Sequence, residues 1–269
     1  MDNIAKAINQ HHENKKQKPR FHFGVSSLGE KCDRKIWMNF RWAKDSQFDG
    51  RMLRLFRRGH LEELTIAQDL IDAGFEVLNY GENQSKVDFG CHLSSDVDGV
   101  VIIEGQKMVL ECKTSSDKQF QKLKKEKLKK AKWMHYVQCN VYCYGLGLDK
   151  ALYFVVNKNT DEIYTEIVEA DYELAEKYIE RGQRLAKQDE LPEPISTNPS
   201  WFECKFCDYH GFCHGKEEIT KKNCRTCAWS SALEDGSWWC EKHNGSLDEV
   251  TQLSGCDNYE LHDHLKGGE

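Results

Sequence analysis

Apolar residues recur at three- and four-residue intervals over residues 32–43 and again over 52–73, the spacing that turns one side of a helix toward a core. Gly74 follows the second run, where a helix stop is required. From residue 76 the period changes. The runs VVII at 100–103 and KMVLECKT at 107–114 predict strands, and ALYFVV at 151–156 with EIYTEIV at 162–168 predicts a hairpin around 157–161. A helix over 133–146 separates the two strand pairs, and a further helix over 171–187 leads to the loop LPEP at 191–194. The first twenty residues have no apolar stretch behind their charges, so a polar helix or loose arm is expected rather than a secretory leader. Helices before and around a short mixed sheet predict an α/β class.

A length of 269 residues, 39% hydrophobic and 30% charged, suits one sizeable core with a small appended module. No apolar run reaches the ~18–20 residues of a membrane span, so no membrane partner is expected and the cytoplasm (the host's, if the chain is viral) is the expected location. A net charge of −6 excludes a uniformly basic nucleic-acid coat but not DNA binding, because local fields do the steering. Residues 118–132 carry eight lysines and one acid, Glu126. Such a run is most often a solvated helix face. As a nucleic-acid track it offers Lys118, Lys122, Lys124 and Lys125, with Arg57 and Arg58 upstream, as phosphate contacts. Twelve cysteines without a secretory context argue for metal ligation over disulfides.

The segment SSDVDGVVIIEGQKMVLECKT holds the candidate chemistry. If Glu104-Gly105 is a two-residue hairpin turn, residues whose numbers sum to 209 face each other, and Asp98 stands opposite Glu111. Strand alternation puts Val109, Glu111 and Lys113 on one face and Leu110 and Cys112 on the other. Two carboxylates so close repel, and a divalent cation relieves them. Hard Mg²⁺ or Mn²⁺ prefers oxygen ligands and serves phosphodiester hydrolysis; the lysine can orient or deprotonate a water, or offset phosphate charge. An exposed surface salt bridge is the plain alternative.

Asp98-Gly99 followed by Glu111-Cys112-Lys113 resembles the second and third motifs of the PD-(D/E)XK nucleases, and Gln138 with Tyr142 resembles the Q-x-x-x-Y motif of their RecB-like branch. The resemblance implies a restriction-endonuclease-like core, a mixed sheet flanked by helices. It also implies that Gln138 helps hold the acidic strand while Tyr142, four residues on and on the same helix face, approaches DNA. Upstream, Arg58-Gly59-His60-Leu61-Glu62-Glu63 resembles the first motif with a departure: position 63 is glutamate, as in viral recombination exonucleases of the superfamily, where the RecB-like branch has histidine. The implied Mg²⁺ or Mn²⁺ ligands are therefore Glu63, Asp98, Glu111 and the peptide carbonyl of Cys112, with His60 as the alternative to Glu63.

Cys204, Cys207 and Cys213 form C-x2-C-x5-C and want a fourth ligand, for which Cys32 is the candidate. One cysteine ahead of the nuclease motifs and three behind resembles the CRISPR-associated RecB-like exonucleases over about residues 24–215, and implies a 4Fe–4S cluster that staples the core; zinc is the competing metal. Cys224, Cys227, Cys240 and Cys256 form C-x2-C-x12-C-x15-C, a structural-zinc pattern, with a second iron–sulfur centre as the alternative and His243 or His262 as substitute ligands. Cys139 and Cys143, four apart on an apolar stripe, read as core, and Cys91 stands alone. The expected division is a polar arm over 1–20, a nuclease core with its staple over 21–216, and a cysteine-rich module over 217–269. The expected activity is metal-dependent DNA exonuclease action at single-stranded ends or flaps, in phage or cellular recombination, replication or repair, with proteins of those processes as possible partners. The alternatives are a non-catalytic DNA-binding or adaptor metalloprotein and a structure-specific or site-specific endonuclease.

Overall fold

A computed structural model describes residues 2–15, 19–45 and 48–266; of the arm expected over 1–20, residues 1 and 16–18 lie outside the described residues. The chain runs through helices α1 (Asp2–Asn14), α2 (Asp33–Phe40) and α3 (Gly50–Asp72), then strands β1 (Glu76–Leu78), β2 (Lys86–Asp88), β3 (Ser94–Asp96), β4 (Gly99–Ile103) and β5 (Gln106–Ser115). Helices α4 (Asp117–Ala131) and α5 (Trp133–Leu146) lead to β6 (Lys150–Asn157), β7 (Ile163–Glu169) and α6 (Tyr172–Lys187). The remainder holds short elements: α7 (Phe202–Lys205), α8 (His210–His214), β8 (Ser230–Ala232), β9 (Trp238–Cys240), β10 (Gly245–Leu247) and α9 (Glu249–Gln252). By packing the chain forms two compact units, one of Met1–Lys18, Gln47–Asp88 and Ser95–Tyr178, the other of Pro19–Ser46, Phe89–Ser94 and Ile179–Glu269.

In the first unit a five-stranded sheet has the order β1-β4-β5-β6-β7. Only the β5–β6 pair is parallel, because α4 and α5 supply the long crossover that a parallel pair needs. The sheet is mixed, as expected. Glu104 and Gly105 both adopt positive φ (51° and 78°), the conformation a tight two-residue hairpin turn demands. Register follows from that turn: Gly99 pairs with Leu110, Val100 with Val109 and Ile103 with Gln106, each pair summing to 209. Ile66, Ala67 and Leu70 of α3 pack on Met108, Leu110 and Cys112 of β5 and on Leu152, Phe154 and Val156 of β6. Helix α3 starts at an Asp49 cap, whose carboxylate accepts the Met52 N–H at 2.7 Å, and stops at Gly74 with φ 92°.

The lysine run forms α4, with Phe120, Leu123 and Leu128 buried and Lys118, Lys122, Lys124 and Lys125 outward. It is not one continuous helix. Lys127 takes φ 64°, and the Leu128 N–H accordingly turns to Glu166 Oε2 of β7 at 2.9 Å. The polar N-terminal segment is helical and is tied to α3, where Glu13 Oε1 accepts the Gly50 N–H at 2.7 Å.

The second unit centres on Trp37, Met38, Ala43, Tyr209, Phe212, Ile219 and Leu265. Its short strands form a sheet in the order β10-β9-β8. Aliphatic content is low, and Arg225 compensates. That side chain is 1% exposed, lies 3.8 Å over the Trp42 ring, and donates to Phe40 O, Phe21 O and Gln252 Oε1 at 3.1, 2.7 and 2.9 Å. Among the described residues no helix is long and apolar enough to cross a membrane.

Candidate active site

Asp98 stands one residue ahead of β4, and its Oδ2 accepts the Cys112 N–H at 2.8 Å, which clamps the carboxylate against β5. Glu111 lies in the middle of β5 with 0% exposure. Lys113, two residues on and therefore on the same face, makes an ion pair with Glu111, stands 3.9 Å from Asp98 Oδ2, and donates to the Cys112 carbonyl at 3.2 Å. Glu63 sits one helical turn before the α3 residues that pack on the sheet, so docking of that helix carries its carboxylate to where the charges of Asp98 and Lys113 act on it. The structure thus gathers Glu63, Asp98, Glu111 and Lys113. His60 is exposed, with Nδ1 3.6 Å from Glu63 Oε1.

The electrostatics are those of crowded acids. Burial above all, then Asp98 and Glu63, push the Glu111 carboxyl up to about 8 against the downward pull of Lys113. Burial and then Asp98 push Glu63 up to about 7. For Lys113 burial works toward neutrality, but Glu111 and Asp98 outweigh it and keep the ammonium charged. Lys113 covers Glu111 Oε1, whereas Oε2 has no hydrogen-bond partner. A buried carboxylate oxygen without a donor, beside two further acids, suits a cation, and the candidate ligands here are all oxygens. This set fits a hard divalent ion.

Gln138 and Tyr142 lie on one side of α5, and Gln138 Nε2 donates to Tyr142 Oη at 3.1 Å. Tyr142 is 2% exposed and shares its hydroxyl with Ser95 Oγ at 2.9 Å, so it stands behind the acidic strand rather than at an open surface. Two residues escaped the sequence reading. His135 Nδ1 lies 2.6 Å from Tyr153 Oη, and Tyr153 is the β6 partner of Glu111. Burial first, then the charges of Lys113 and Lys132, lower His135 to about 3, so it is neutral beside the lysine. The available signal was its position, three residues before Gln138 and so one helical turn away. Along α4, Lys124 pairs with Glu162 at 3.2 Å and Lys122 with Glu126 at 3.9 Å; Lys118 and Lys125 are exposed, as are Arg57 and Arg58 on α3.

In the second unit Cys32, Cys204, Cys207 and Cys213 line one cavity of about 310 Å³, with Arg34 Nη1 3.8 Å from Cys213 Sγ. Cys224, Cys227, Cys240, Cys256 and His243 line another, of about 110 Å³. No disulfide joins any of the twelve cysteines, and Cys139 and Cys143 are buried in the first unit. Among the described residues no group of three or more His, Cys, Asp or Glu side chains is placed so as to hold a metal ion.

No curated protein matches the chain. Solved structures similar to it include SSO0001, at 15% identity and TM-score 0.49, covering 78% of this chain and 96% of that one. Two crystal structures of LHK-Exo, an alkaline exonuclease from Laribacter hongkongensis, are also similar at 13% identity, one of them in complex with dAMP; their TM-scores are 0.44 and 0.42, and each match covers 67% of this chain and 90% of that one. The family model of the PD-(D/E)XK nuclease superfamily matches residues 13–214, a stretch that holds Glu63, Asp98, Glu111, Lys113 and the α5 pair, and the chain belongs to that superfamily.

Proposed function

We propose that the chain is a divalent-metal-dependent deoxyribonuclease of the RecB-like branch that digests DNA from single-stranded ends or flaps. One observation carries most of the weight: Glu111 is wholly buried beside Asp98 and Glu63, with Lys113 against Oε1 and no donor on Oε2. Burying a carboxyl among like charges with one ion-pair partner costs stability, and a scaffold protein gains nothing from it. Glu63, Asp98, Glu111 and the Cys112 carbonyl would hold Mg²⁺ or Mn²⁺. When bound, such an ion polarises the phosphate and lowers the pKa of a water.

The rest falls to the chain's own groups. Lys113, held charged between Glu111 and Asp98, orients the attacking water and offsets charge building on the phosphoryl oxygens. Gln138, Tyr142 and Ser95 form a hydrogen-bonded brace behind the acidic strand. The outward lysines of α4, with Arg57 and Arg58, contact phosphates without reading bases, as suits an enzyme that moves along a strand of any sequence. Cys32, Cys204, Cys207 and Cys213 would hold a 4Fe–4S cluster that joins the chain's beginning to its later part, removing unfolded-state entropy as a long-range cross-link does. Recombination, replication or repair, in a phage-infected or ordinary cytoplasm, is the proposed setting.

The test is degradation of end-labelled linear and circular single strands in Mg²⁺ or Mn²⁺ by wild type, Glu111→Gln and Lys113→Ala. Wild type should consume linear strands and spare circles, with both variants inactive. Equal strand loss by all three proteins would reject the site, and cleavage of circles would replace exonuclease with endonuclease action.

A further inference from the structure

The second unit holds a thiol site that the nuclease chemistry does not use. Its first two members are set by a tight turn: Asn223 Oδ1 accepts the N–H groups of Arg225 and Thr226 at 2.8 and 3.2 Å, and the Cys227 N–H returns to Cys224 O at 3.1 Å. Cys224 and Cys227 are thereby fixed one turn apart, as in a ligand knuckle. Cys240 ends the central strand β9 and pairs with Ser230 of β8, three residues beyond the knuckle. Cys256 arrives from the far side of α9, and that segment lies against the knuckle, with Cys224 Sγ 3.2 Å from Thr251 O and 3.3 Å from Ser254 O. Three separate stretches of chain thus bring four thiols to one cavity, and Cys224 feels the charges of the other three.

We infer that Cys224, Cys227, Cys240 and Cys256 bind one structural zinc ion as thiolates, with His243 hydrogen-bonded to Cys256 as an outer partner. Three features favour zinc over a second cluster or an apolar core. The cavity, about 110 Å³, is roughly a third the size of the one beside Cys32 and accommodates a single ion. The strands here are three residues long, too short to stand on ladder hydrogen bonds, and besides Cys240 they bury only two apolar side chains, Trp238 and Leu247. A metal supplies the missing cross-links. Finally, four thiolates around a divalent ion leave net negative charge, and positive or donating groups stand beside it. His243 Nε2 is 3.4 Å from Cys256 Sγ, and Lys242, stacked 4.5 Å over Trp229, lines the same cavity. Ligation turns the Cys224 sulfur from its carbonyl contacts toward the ion, and each thiol gives up its proton to solvent.

Zinc and iron content and the visible spectrum of anaerobically purified full-length protein decide the matter. Wild type should carry about one zinc per chain. Cys227→Ala should lose it while keeping iron and colour, and Cys204→Ala should do the reverse. His243→Ala should retain zinc but surrender it to a chelator at least several-fold faster. Because Cys227→Ala opens a buried position and can cost the fold, wild-type protein is also titrated with a mercurial: zinc should leave as the reactive thiols are consumed. Wild type without zinc, zinc unchanged in Cys227→Ala, iron lost from that variant alone, or thiols already oxidised to a disulfide would each overturn the inference. Loss of nuclease activity plays no part in the readout, so failure of the nuclease reading and failure of this one remain distinguishable.

Discussion

Replacing Glu111 by glutamine should shift the stability of the metal-free protein in favour of the variant as pH rises. The Glu111 carboxyl titrates near 4.5 in an unfolded chain and at about 8 in the fold, chiefly because it is buried. The folded state therefore keeps a proton that the unfolded state releases. Stability from this group is complete below the unfolded value and is lost as pH climbs through the folded one. The shift corresponds to at most about 5 kcal/mol above pH 8. The amide of the variant buries an NH2 group that needs an acceptor, which returns about 1–3 kcal/mol, so a net gain of about 2 kcal/mol at pH 8 is expected, turning to a net loss of about 1 kcal/mol at pH 5. Urea denaturation in EDTA at both pH values, followed by circular dichroism, measures it. Adding Mg²⁺ or Mn²⁺ should then stabilise wild type by mass action and leave the variant unmoved. If Glu111→Gln is the less stable protein at pH 8 in EDTA, Glu111 and Lys113 form an ordinary structural ion pair and the argument for a strained, cation-seeking carboxylate fails.

Three other outcomes can be checked. His135, lowered to about 3, withdraws stability as pH falls from its unfolded value near 6.5 toward 3; His135→Phe should flatten that acid limb in urea midpoints, and an unchanged limb would mean the ring is solvated. Reversing Lys118, Lys122, Lys124 and Lys125 to glutamate should weaken single-strand binding and reduce its salt dependence by about 0.7 unit of slope per lost phosphate contact; an unaltered slope would remove α4 from the DNA path. Arg225→Lys keeps the charge but loses the fork that reaches Phe21, Phe40 and Gln252, and should lower thermal stability by about 2–4 kcal/mol; a change within about 0.5 kcal/mol would show that the buried guanidinium matters little.

Much of the first unit was legible because its signals are local. A two-residue turn at Glu104-Gly105 leaves little freedom of register, and register alone aligned the end of β4 with Glu111. The Gln138–Tyr142 spacing needed only a helix. Strand β1 was missed because three residues carry no period, and β2, β3 and the tail strands are equally short. The break in α4 was also invisible: the Leu128 N–H freed there is taken by Glu166, on β7, 38 positions further along the chain.

What the sequence by itself determined is therefore the longer helices and strands, the hairpin register and the identity of the chemical groups, all properties of short windows in which periodicity and turn preference act. Only tertiary structure decided that α3 would bring Glu63 to Asp98, that the parallel β5–β6 pairing would set Tyr153 and His135 beside Glu111, and that Cys32 would meet Cys204. Those convergences join segments dozens to nearly two hundred residues apart. They depend on which buried faces outweigh the entropy of closing such loops. Burial, which raises Glu111 and suppresses His135, exists only once those faces have met.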